Sequence, residues 1–293
     1  NEIDVYRLTY EYIETKYGKI PAEYTFADKY PFVVFKKDGS FYGAYTCLFG
    51  NTDTNNGGNL SIIAMHAARS AGDGAIILMM RDWTYTDNIS YPNIGNNQGT
   101  VTLDLGGFTI YDKHTYTGGL FILRSKKSPT VSNLVVKNGE ILIGGKNSVV
   151  SCIEHSSEIK DTVLNIVFDG VKFGYTDGGT SNVVLVRDYK PTNNLGYNVT
   201  VKNCEFDMTN APAGAKLIDI GTGVVKVNAE NITLKGNNNV SGTAINPKHS
   251  ITFYSDFLYT VYVPAVGGLN YLELDGVKYT ELGELDVVFI DGN

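Results

Sequence analysis

Four residues in the middle of the chain could carry out acid–base chemistry. Glu154 and Asp219 each bear a carboxylate, and His155 and Arg187 each bear a nitrogen group that can carry a positive charge. Two carboxylates on either side of a glycosidic bond can donate and accept the protons of its hydrolysis. A cation next to them could hold an acidic polymer. We predict these four residues as the candidate catalytic set. Because they are far apart in sequence, only the fold can bring them together.

A second group of residues could bind a ligand. Tyrosine rings offer flat apolar surfaces with a polar tip, and carboxylate, amide or ammonium groups can bind hydroxyls and charges. Such residues occur in the segments "YDKHTYTGG" (111–119) and "GYTDGGTSN" (174–182) and shortly after them. The candidate ligand-binding residues are Tyr111, Tyr116, Tyr175, Asp177, Asp188 and Lys190. Ordinary turns are the alternative interpretation, because Gly, Asp and Asn also mark turns.

The composition excludes several classes of function. The 293 residues have a net charge of −7 and no run of Lys or Arg, which predicts no nucleic-acid partner. The longest apolar segment, Ala75–Met80, has six residues, which predicts a buried strand and no direct membrane insertion. The histidines and cysteines are scattered, so we predict no metal site, no cofactor and no disulfide framework. These residues are His66, His114, His155, His249, Cys47, Cys152 and Cys204.

A repeat of 31 to 33 residues runs through the chain. One column of this repeat contains only Gly or Asn, the residue types that most readily adopt the left-handed (αL) conformation. Its members are Gly107, Asn138, Gly170, Asn203 and Gly236. Two apolar columns precede it, namely Leu103, Leu134, Ile166, Val199 and Ile232, and Leu105, Val136, Phe168, Val201 and Leu234. A third contains Ile110, Ile141, Phe173 and Phe206 and fails at Asn239, and a later one contains Ile122, Ile153, Leu185 and Ile218.

This repeat predicts an all-β chain, in which short strands recur in one direction and pair in parallel with the copies above and below. We predict a right-handed, single-stranded parallel β-helix with three strands per coil, since crossovers between parallel strands are almost always right-handed. Glu140, Lys172 and Glu205 should then stack on the outside with alternating charge. A β-sandwich with chance similarity between its segments is the alternative.

The residues around the repeat predict three parts. Residues 1–74 should form an N-terminal cap with a helix between Ile3 and Tyr17, a hairpin over Phe32–Tyr45 and an amphipathic helix over Asn59–Gly74. Residues 75–248 should form the β-helix, and residues 249–293 a small antiparallel β segment. The chain starts without Met, and we interpret it as a piece of a longer protein.

The αL corners, together with the run "GDGAIILMMRDWTYTDN…GTVTLDLGGFTI", resemble the pectate-lyase-like right-handed parallel β-helix superfamily of bacterial secreted and surface proteins. The resemblance implies that a substrate would lie along the sheet formed by Leu120–Arg124, Ser151–His155, Val183–Arg187 and Lys216–Ile220. Two columns should face outward there, Phe121/Cys152/Val184/Leu217 and Leu123/Glu154/Val186/Asp219. Glu154 and Asp219 would be two coils, or about 10 Å, apart. That separation lies near the upper limit for inverting glycosidases.

Arg124, His155 and Arg187 should stack beside that sheet, where they could hold an acidic polysaccharide. The resemblance also implies that an Arg or Lys could act as the base of a β-elimination. The catalytic motifs of the polygalacturonase-type hydrolases are not found in this sequence. We therefore expect a secreted or cell-surface bacterial module that binds or supports, with a polysaccharide or glycan as its partner. A polysaccharide lyase or glycosidase acting through Glu154, His155, Arg187 and Asp219 is the alternative, and a structural stalk or fibre is a third interpretation.

Overall fold

A computed structural model gives the structure of the chain. It describes residues 7–25, 29–49, 62–86, 99–114, 118–124, 131–145, 148–153, 162–189, 195–212, 215–219 and 225–235, and short segments at 243–244, 251–253, 260–262, 272–274, 277–279 and 287–288. The described part is mostly β, as the sequence predicts, and most of its strand pairs are parallel.

Helices are confined to the N-terminal quarter of the described part. They are α1 (Tyr10–Lys16), a 3-10 helix (Ala22–Tyr24) and α2 (Ala64–Ala71). The first strands are β1 (Phe32–Phe35), β2 (Phe41–Tyr45), β3 (Ala75–Met79), β4 (Trp83–Tyr85), β5 (Gly99–Asp104), β6 (Thr109–Asp112), β7 (Phe121–Arg124), β8 (Val131–Ile143), β9 (Val150–Ile153) and β10 (Thr162–Tyr175). The others are β11 (Val183–Tyr189), β12 (Leu195–Asp207), β13 (Lys216–Asp219), β14 (Val225–Lys235), β15 (Thr243–Ala244), β16 (Ile251–Phe253), β17 (Thr260–Tyr262), β18 (Leu272–Leu274), β19 (Val277–Tyr279) and β20 (Val287–Val288).

The N-terminal elements only partly match their predicted bounds. The first helix begins at Tyr10, because Thr9 is its N-cap and accepts a hydrogen bond from the Tyr12 backbone N–H. The second helix is also shorter than predicted and begins at Ala64. The predicted hairpin is confirmed, with β1 and β2 antiparallel and Gly39 at a φ of 83° in the turn. Helix α2 buries Ala64, Met65, Ala67 and Ala68 against the main core.

Two parallel sheets dominate the rest of the described part. In the long sheet, the strands lie in the order β14-β12-β10-β8-β5-β3, and β1 and β2 extend its far edge. In the short sheet, the order is β13-β11-β9-β7. Successive strands of each sheet therefore come from successive repeats, and long strands of one sheet alternate along the chain with short strands of the other.

The predicted αL corners are confirmed at four positions. Gly107 has a φ of 81°, Asn138 of 52°, Gly170 of 67° and Asn203 of 52°. In β8, β10 and β12 this single residue bends one continuous strand, so both halves keep pairing with their neighbours. Gly236, the fifth member of the predicted column, lies outside the described residues.

Substitutions at Gly170 should separate backbone strain from steric clash. A Cβ atom added at Gly170 would meet no atom within 4 Å, so only the left-handed φ opposes a side chain there. We expect Gly170→Asn to change the free energy of unfolding little, because Asn already occupies this place at Asn138 and Asn203. Gly170→Val should cost about 1–2 kcal/mol. Urea unfolding of both variants measures this, and equal losses would contradict a purely conformational role for Gly170.

The predicted register of the long sheet is wrong at its first repeat. Val101 pairs with Leu134 and Leu103 with Val136, two residues away from the predicted pairing. Beyond the corner, Ile110 pairs with Ile141 as predicted. The corner between β5 and β6 contains two more residues than the corner in β8, and the pair Gly106–Gly107 accommodates them with φ values of 62° and 81°.

The register of the last repeat also differs from the prediction. Cys204 pairs with Ile232 and Phe206 with Leu234, so the last interval is 28 residues. Asn231 is thereby placed opposite Asn203, at the position that we predicted for Gly236. Leu234, and not Asn239, continues the apolar column of Phe173 and Phe206.

One apolar core lies between the two sheets. Phe121 from the short sheet contacts Phe168 of the long sheet, with ring centroids 5.9 Å apart. Phe168 contacts Phe173 beyond the corner at 5.1 Å, and Phe173 stacks on Phe206 of the next repeat at 4.9 Å. These four rings, all less than 2 % exposed, connect both sheets and three repeats.

The C-terminal strands are only partly antiparallel. The pairs β17–β20 and β18–β19 are antiparallel, but β15–β17 and β16–β18 are parallel. The prediction of a wholly antiparallel segment is therefore wrong for the described strands.

Candidate ligand-binding face

The outer side of the long sheet presents three straight rows of side chains, which we call the outer face. They alternate along each strand with residues of the core, so they lie on the side away from it. The first row is Thr100, Asn133, Asn165 and Asn198. The second is Thr102, Val135, Val167 and Thr200, and the third is Asp104, Lys137, Asp169 and Lys202.

Asparagines of the first row form a ladder. The Asn198 Nδ2 group donates to Asn165 Oδ1 at 2.7 Å, and Asn165 Nδ2 donates to Asn133 Oδ1 at 2.6 Å. Each amide has two N–H donors and two acceptor lone pairs, and the ladder uses at most one of each kind per neighbour. The middle amide thus keeps one donor and one acceptor position that its ladder partners do not occupy, at a fixed place on the face.

The third row alternates in charge along its whole length. Lys137 Nζ lies 3.7 Å from Asp104 Oδ2, and Lys202 Nζ lies 3.3 Å from Asp169 Oδ2. Asn203 Nδ2 donates to Asp169 Oδ1 at 2.9 Å. Opposite charges on neighbouring parallel strands stabilise this pairing. Beyond the corner, Glu140, Lys172 and Glu205 occupy one register row, as the sequence predicts, but Glu205 is buried at 4 % exposure and does not lie on the outside.

Helix α1 forms a wall at one end of the outer face. The Tyr17 hydroxyl donates to Asp104, the first carboxylate of the third row. The Leu8 N–H donates to the carbonyl of Gly106 at 3.2 Å. Lys137 Nζ lies 5.5 Å from the centroid of the Tyr17 ring. The α1 segment therefore covers the outer face at β5, and the uncovered part extends from β8 toward β14.

The outer face presents polar groups at a regular spacing. Successive strands of a sheet lie about 4.8 Å apart, so amide, hydroxyl and charged groups recur at that spacing along each row. Val135 and Val167 form an apolar centre between the two polar rows, and both are partly exposed. Such a surface suits an extended polymer that has hydroxyls at its edges and an apolar side.

The short sheet does not assemble the predicted catalytic set. Arg187 pairs with Ser151 on one side and Asp219 on the other, and Arg124 pairs with Ile153. The predicted stack of Arg124, His155 and Arg187 is therefore wrong. Two intervals differ from the prediction. Ile122 pairs with Ser151, two residues before the predicted Ile153, and Arg187 pairs with Ser151, four residues before the predicted His155. Glu154 and His155 lie outside the described residues.

Arg187 and Asp219 are the two predicted catalytic residues that the register brings together. They are direct partners on β11 and β13, and both side chains are partly exposed. An Arg187 terminal nitrogen donates to Oδ1 of Asn182, at the start of β11. Asp219 was predicted in the column of Val186, but Val186 pairs with Ile218 because β11 is irregular between Val183 and Val186.

The predicted apolar substrate surface is part of the core. Phe121, Cys152, Val184 and Leu217, which were expected to face outward, all belong to the main core and are at most 1 % exposed. Leu123 and Val186 of the second predicted outward column are also buried there. The short sheet therefore turns these apolar positions inward, and the prediction of an exposed apolar groove on it is wrong.

The predicted ligand-binding residues are dispersed. Tyr111 lies on the outer side of β6, next to Leu142, and is partly exposed. Tyr175 is a core residue and only 3 % exposed, so its ring cannot stack on a sugar as predicted. Burial also raises the pKa of its hydroxyl. Asp177 is exposed and accepts from Asn210 Nδ2 at 3.4 Å. The backbone of Asp188 pairs with that of Cys152, and the Asp188 side chain is not described. Tyr116 and Lys190 lie outside the described residues.

A polar pair that the sequence did not reveal lies in the core. His114 Nδ1 contacts the carboxylate of Asp112, and both residues are at most 2 % exposed. The Tyr85 ring lies 5.2 Å from the His114 ring. In the described ranges, no three His, Cys, Asp or Glu side chains gather into a possible metal site. None of the described helices is long and apolar enough to span a membrane.

Comparison with known proteins gave no match. No protein-family model, no curated protein and no solved structure matches the chain.

The three cysteines should differ in reactivity. Burial raises the pKa of the Cys204 thiol to about 12, and Cys152 is fully buried, whereas Cys47 is partly exposed. Because the thiolate is the reactive form, Cys204 should stay unreactive at pH 8 in the folded protein. We expect a thiol reagent to modify at most Cys47 before denaturation and all three cysteines after it. Rapid native modification of Cys204, located by peptide mapping, would contradict this.

Proposed function

We propose that the chain folds as a right-handed, single-stranded parallel β-helix. Support comes from two parallel sheets whose strands alternate along the chain and whose order follows the repeats. The αL corners at Asn138, Gly170 and Asn203 add to it, because one left-handed residue turns the strand in each repeat without a loop. The resemblance to bacterial secreted and surface β-helix proteins leads us to propose a secreted or cell-surface location.

We propose further that the protein is a non-catalytic module that binds a polysaccharide along the outer face. The observation that carries this is the set of three straight rows, in which hydrogen bonds between asparagines and ion pairs between neighbouring strands fix the polar groups. Fixed groups lose little conformational entropy on binding. An extended glycan can place its apolar side over Val135 and Val167 and its hydroxyls over the asparagine ladder.

Affinity electrophoresis against a panel of neutral and acidic polysaccharides tests this function. Val167→Arg places a long charged side chain at the centre of the outer face, and we expect it to weaken binding at least tenfold, or about 1.4 kcal/mol. Leu142→Arg is the matched control, because it makes the same kind of change at a partly exposed apolar residue beyond the corner. Equal retardation of both variants, or no retardation of the wild type by any polysaccharide, would refute binding at this face.

A polysaccharide lyase or glycosidase is the second candidate. The register pair Arg187 and Asp219, with Asn182 on the guanidinium, is the observation that favours it. A reducing-end assay with and without calcium detects either reaction, because both create new ends. Activity that disappears in Arg187→Ala would establish the enzyme and overturn the non-catalytic proposal.

A further inference from the structure

Arg69, in the last turn of α2, has no partner for its charge among the residues that the structure describes. Its Nε atom is inaccessible to solvent and makes no hydrogen bond, and no described carboxylate lies within ion-pair distance of the side chain. Burial lowers the pKa of the guanidinium to about 10. A charged group taken out of water without a partner destabilises the fold. The residue as a whole nevertheless keeps part of its surface exposed, so a ligand can reach it.

A second basic side chain lies on the same side of α2. His66 precedes Arg69 by three residues, and side chains at this spacing are neighbours, with Cβ atoms about 5–6 Å apart. His66 is partly exposed and α2 contains no acidic residue. Ser70, one turn after His66, is exposed and donates its hydroxyl proton to the His66 carbonyl at 3.2 Å.

The nearest acidic residue in sequence is already engaged elsewhere. The Asp73 carboxylate accepts from the Thr100 N–H at 2.8 Å and lies 3.7 Å from Lys37 Nζ. Helix α2 itself contains no acidic residue that could pair with Arg69. An anion at Arg69 would therefore meet two basic groups and no competing carboxylate of the helix.

We propose that Arg69 and His66 form a binding site for an oxyanion, a phosphate or carboxylate group. The guanidinium has parallel N–H donors that match two oxygens of such a group. The anion would supply the missing counter-charge and so stabilise the folded cap. The site is independent of the proposed glycan-binding face, because α2 packs on the core side of β1 and β3, whereas α1 and the outer face lie on the other side.

Thermal unfolding in sodium phosphate, sodium acetate and sodium chloride at equal ionic strength tests the site. In the wild type we expect the midpoint to rise by about 2–4 °C in the oxyanion that binds, relative to chloride. The acetate and phosphate arms distinguish a carboxylate ligand from a phosphate ligand. In Arg69→Met the rise should disappear, and the midpoint in chloride should itself increase, because the unpaired charge is gone.

Lys19→Met is the matched control, because Lys19 is an exposed cation after α1, on the other side of β1 and β3. It should keep the full oxyanion-dependent rise. No rise in the wild type, or an equal rise in Arg69→Met, would overturn the proposal. If Arg69→Met does not fold, titration of wild-type protein with phosphate and acetate still decides the matter. The chemical shift of the Arg69 Nε–Hε NMR signal should then change to saturation in one of the two titrations. A signal that shifts with neither phosphate nor acetate would overturn the site.

Discussion

Replacing Asp104 by alanine should cost about 3–5 kcal/mol of unfolding free energy, one of the two largest effects that we expect from a single substitution. The Asp104 carboxylate is 1 % exposed and has four polar partners. It accepts from the Tyr17 hydroxyl, from the Gly106 N–H at 2.9 Å and from Asn138 Nδ2 at 3.4 Å, and Lys137 Nζ lies 3.7 Å away. Alanine removes the buried acceptor that these four groups share, and removing one member of a buried polar network is costly.

The loss should appear first as detachment of α1. The Tyr17 side chain, at the end of α1, donates a hydrogen bond to Asp104. Its ring also stacks on that of Phe35, with the ring centroids 6.5 Å apart. Without that bond, the α1 segment keeps its apolar contacts to β1 and β3 and the hydrogen bond from the Leu8 N–H to the Gly106 carbonyl. We therefore expect limited proteolysis of Asp104→Ala to cleave near α1 before the sheets are attacked. Urea unfolding followed by circular dichroism gives the free energy.

Asp169→Ala is the matched control for Asp104→Ala. Asp169 occupies the same row two repeats further along and has a lysine and an asparagine partner of the same kinds. Its side chain is 36 % exposed, compared with 1 % for Asp104, and its lysine partner is 41 % exposed. Exposed ion pairs contribute about 1 kcal/mol or less. Equal losses in the two variants would show that burial of Asp104 and its bond to Tyr17 do not anchor the cap.

The central repeats could be predicted from the sequence because one residue fixes their register. Asn138, Gly170 and Asn203 each occupy an αL corner, and the strands on both sides are continuous, so equal spacing in sequence means equal position in the sheet. Equal spacing in sequence no longer means equal position in the sheet at two places. One is the longer corner at Gly106–Gly107, and the other is the shortened repeat before Asn231. No physical rule relates the number of residues in a loop to the register of the strands that it connects. A prediction that assumes the same interval on both sides of such a loop therefore gives the wrong register.

The candidate site could be predicted less well than the fold. Asn133, Asn165 and Asn198 recur at intervals of 32 and 33, each one residue before a core position, so their ladder could have been found by the comparison that found the αL corners. The alternating third row could have been found in the same way. The residues of the short sheet could not, because β7, β9 and β11 are short and the irregularity in β11 shifts the residues that follow it. A shift of one residue in a strand reverses which side chains face the core.

Phe168→Ala should also cost about 3–5 kcal/mol, because it removes the ring at the centre of the core. Phe168 is fully buried and contacts Phe121 of the short sheet and Phe173 beyond the corner. Its backbone carbonyl also accepts a weak bond from the Cys204 thiol at 3.6 Å. The vacated space lies between two sheets held by backbone ladders on both sides, so the surroundings cannot collapse to fill it. The cost of a cavity rises with the volume that stays empty.

Val167→Ala is the control for Phe168→Ala, since it shortens the neighbouring side chain on the partly exposed outer face. We expect it to cost about 1 kcal/mol or less. In a stack of repeats each unit contacts only its neighbours, so the cavity should weaken the contacts of β10 with β8 and β12 more than those of β1 and β2. Hydrogen exchange should therefore show faster opening of β8, β10 and β12 in Phe168→Ala, with α1 and the hairpin little changed. Uniformly faster exchange would mean that the cap and the sheets unfold as one unit, and the separate detachment of α1 expected for Asp104→Ala would then be excluded as well.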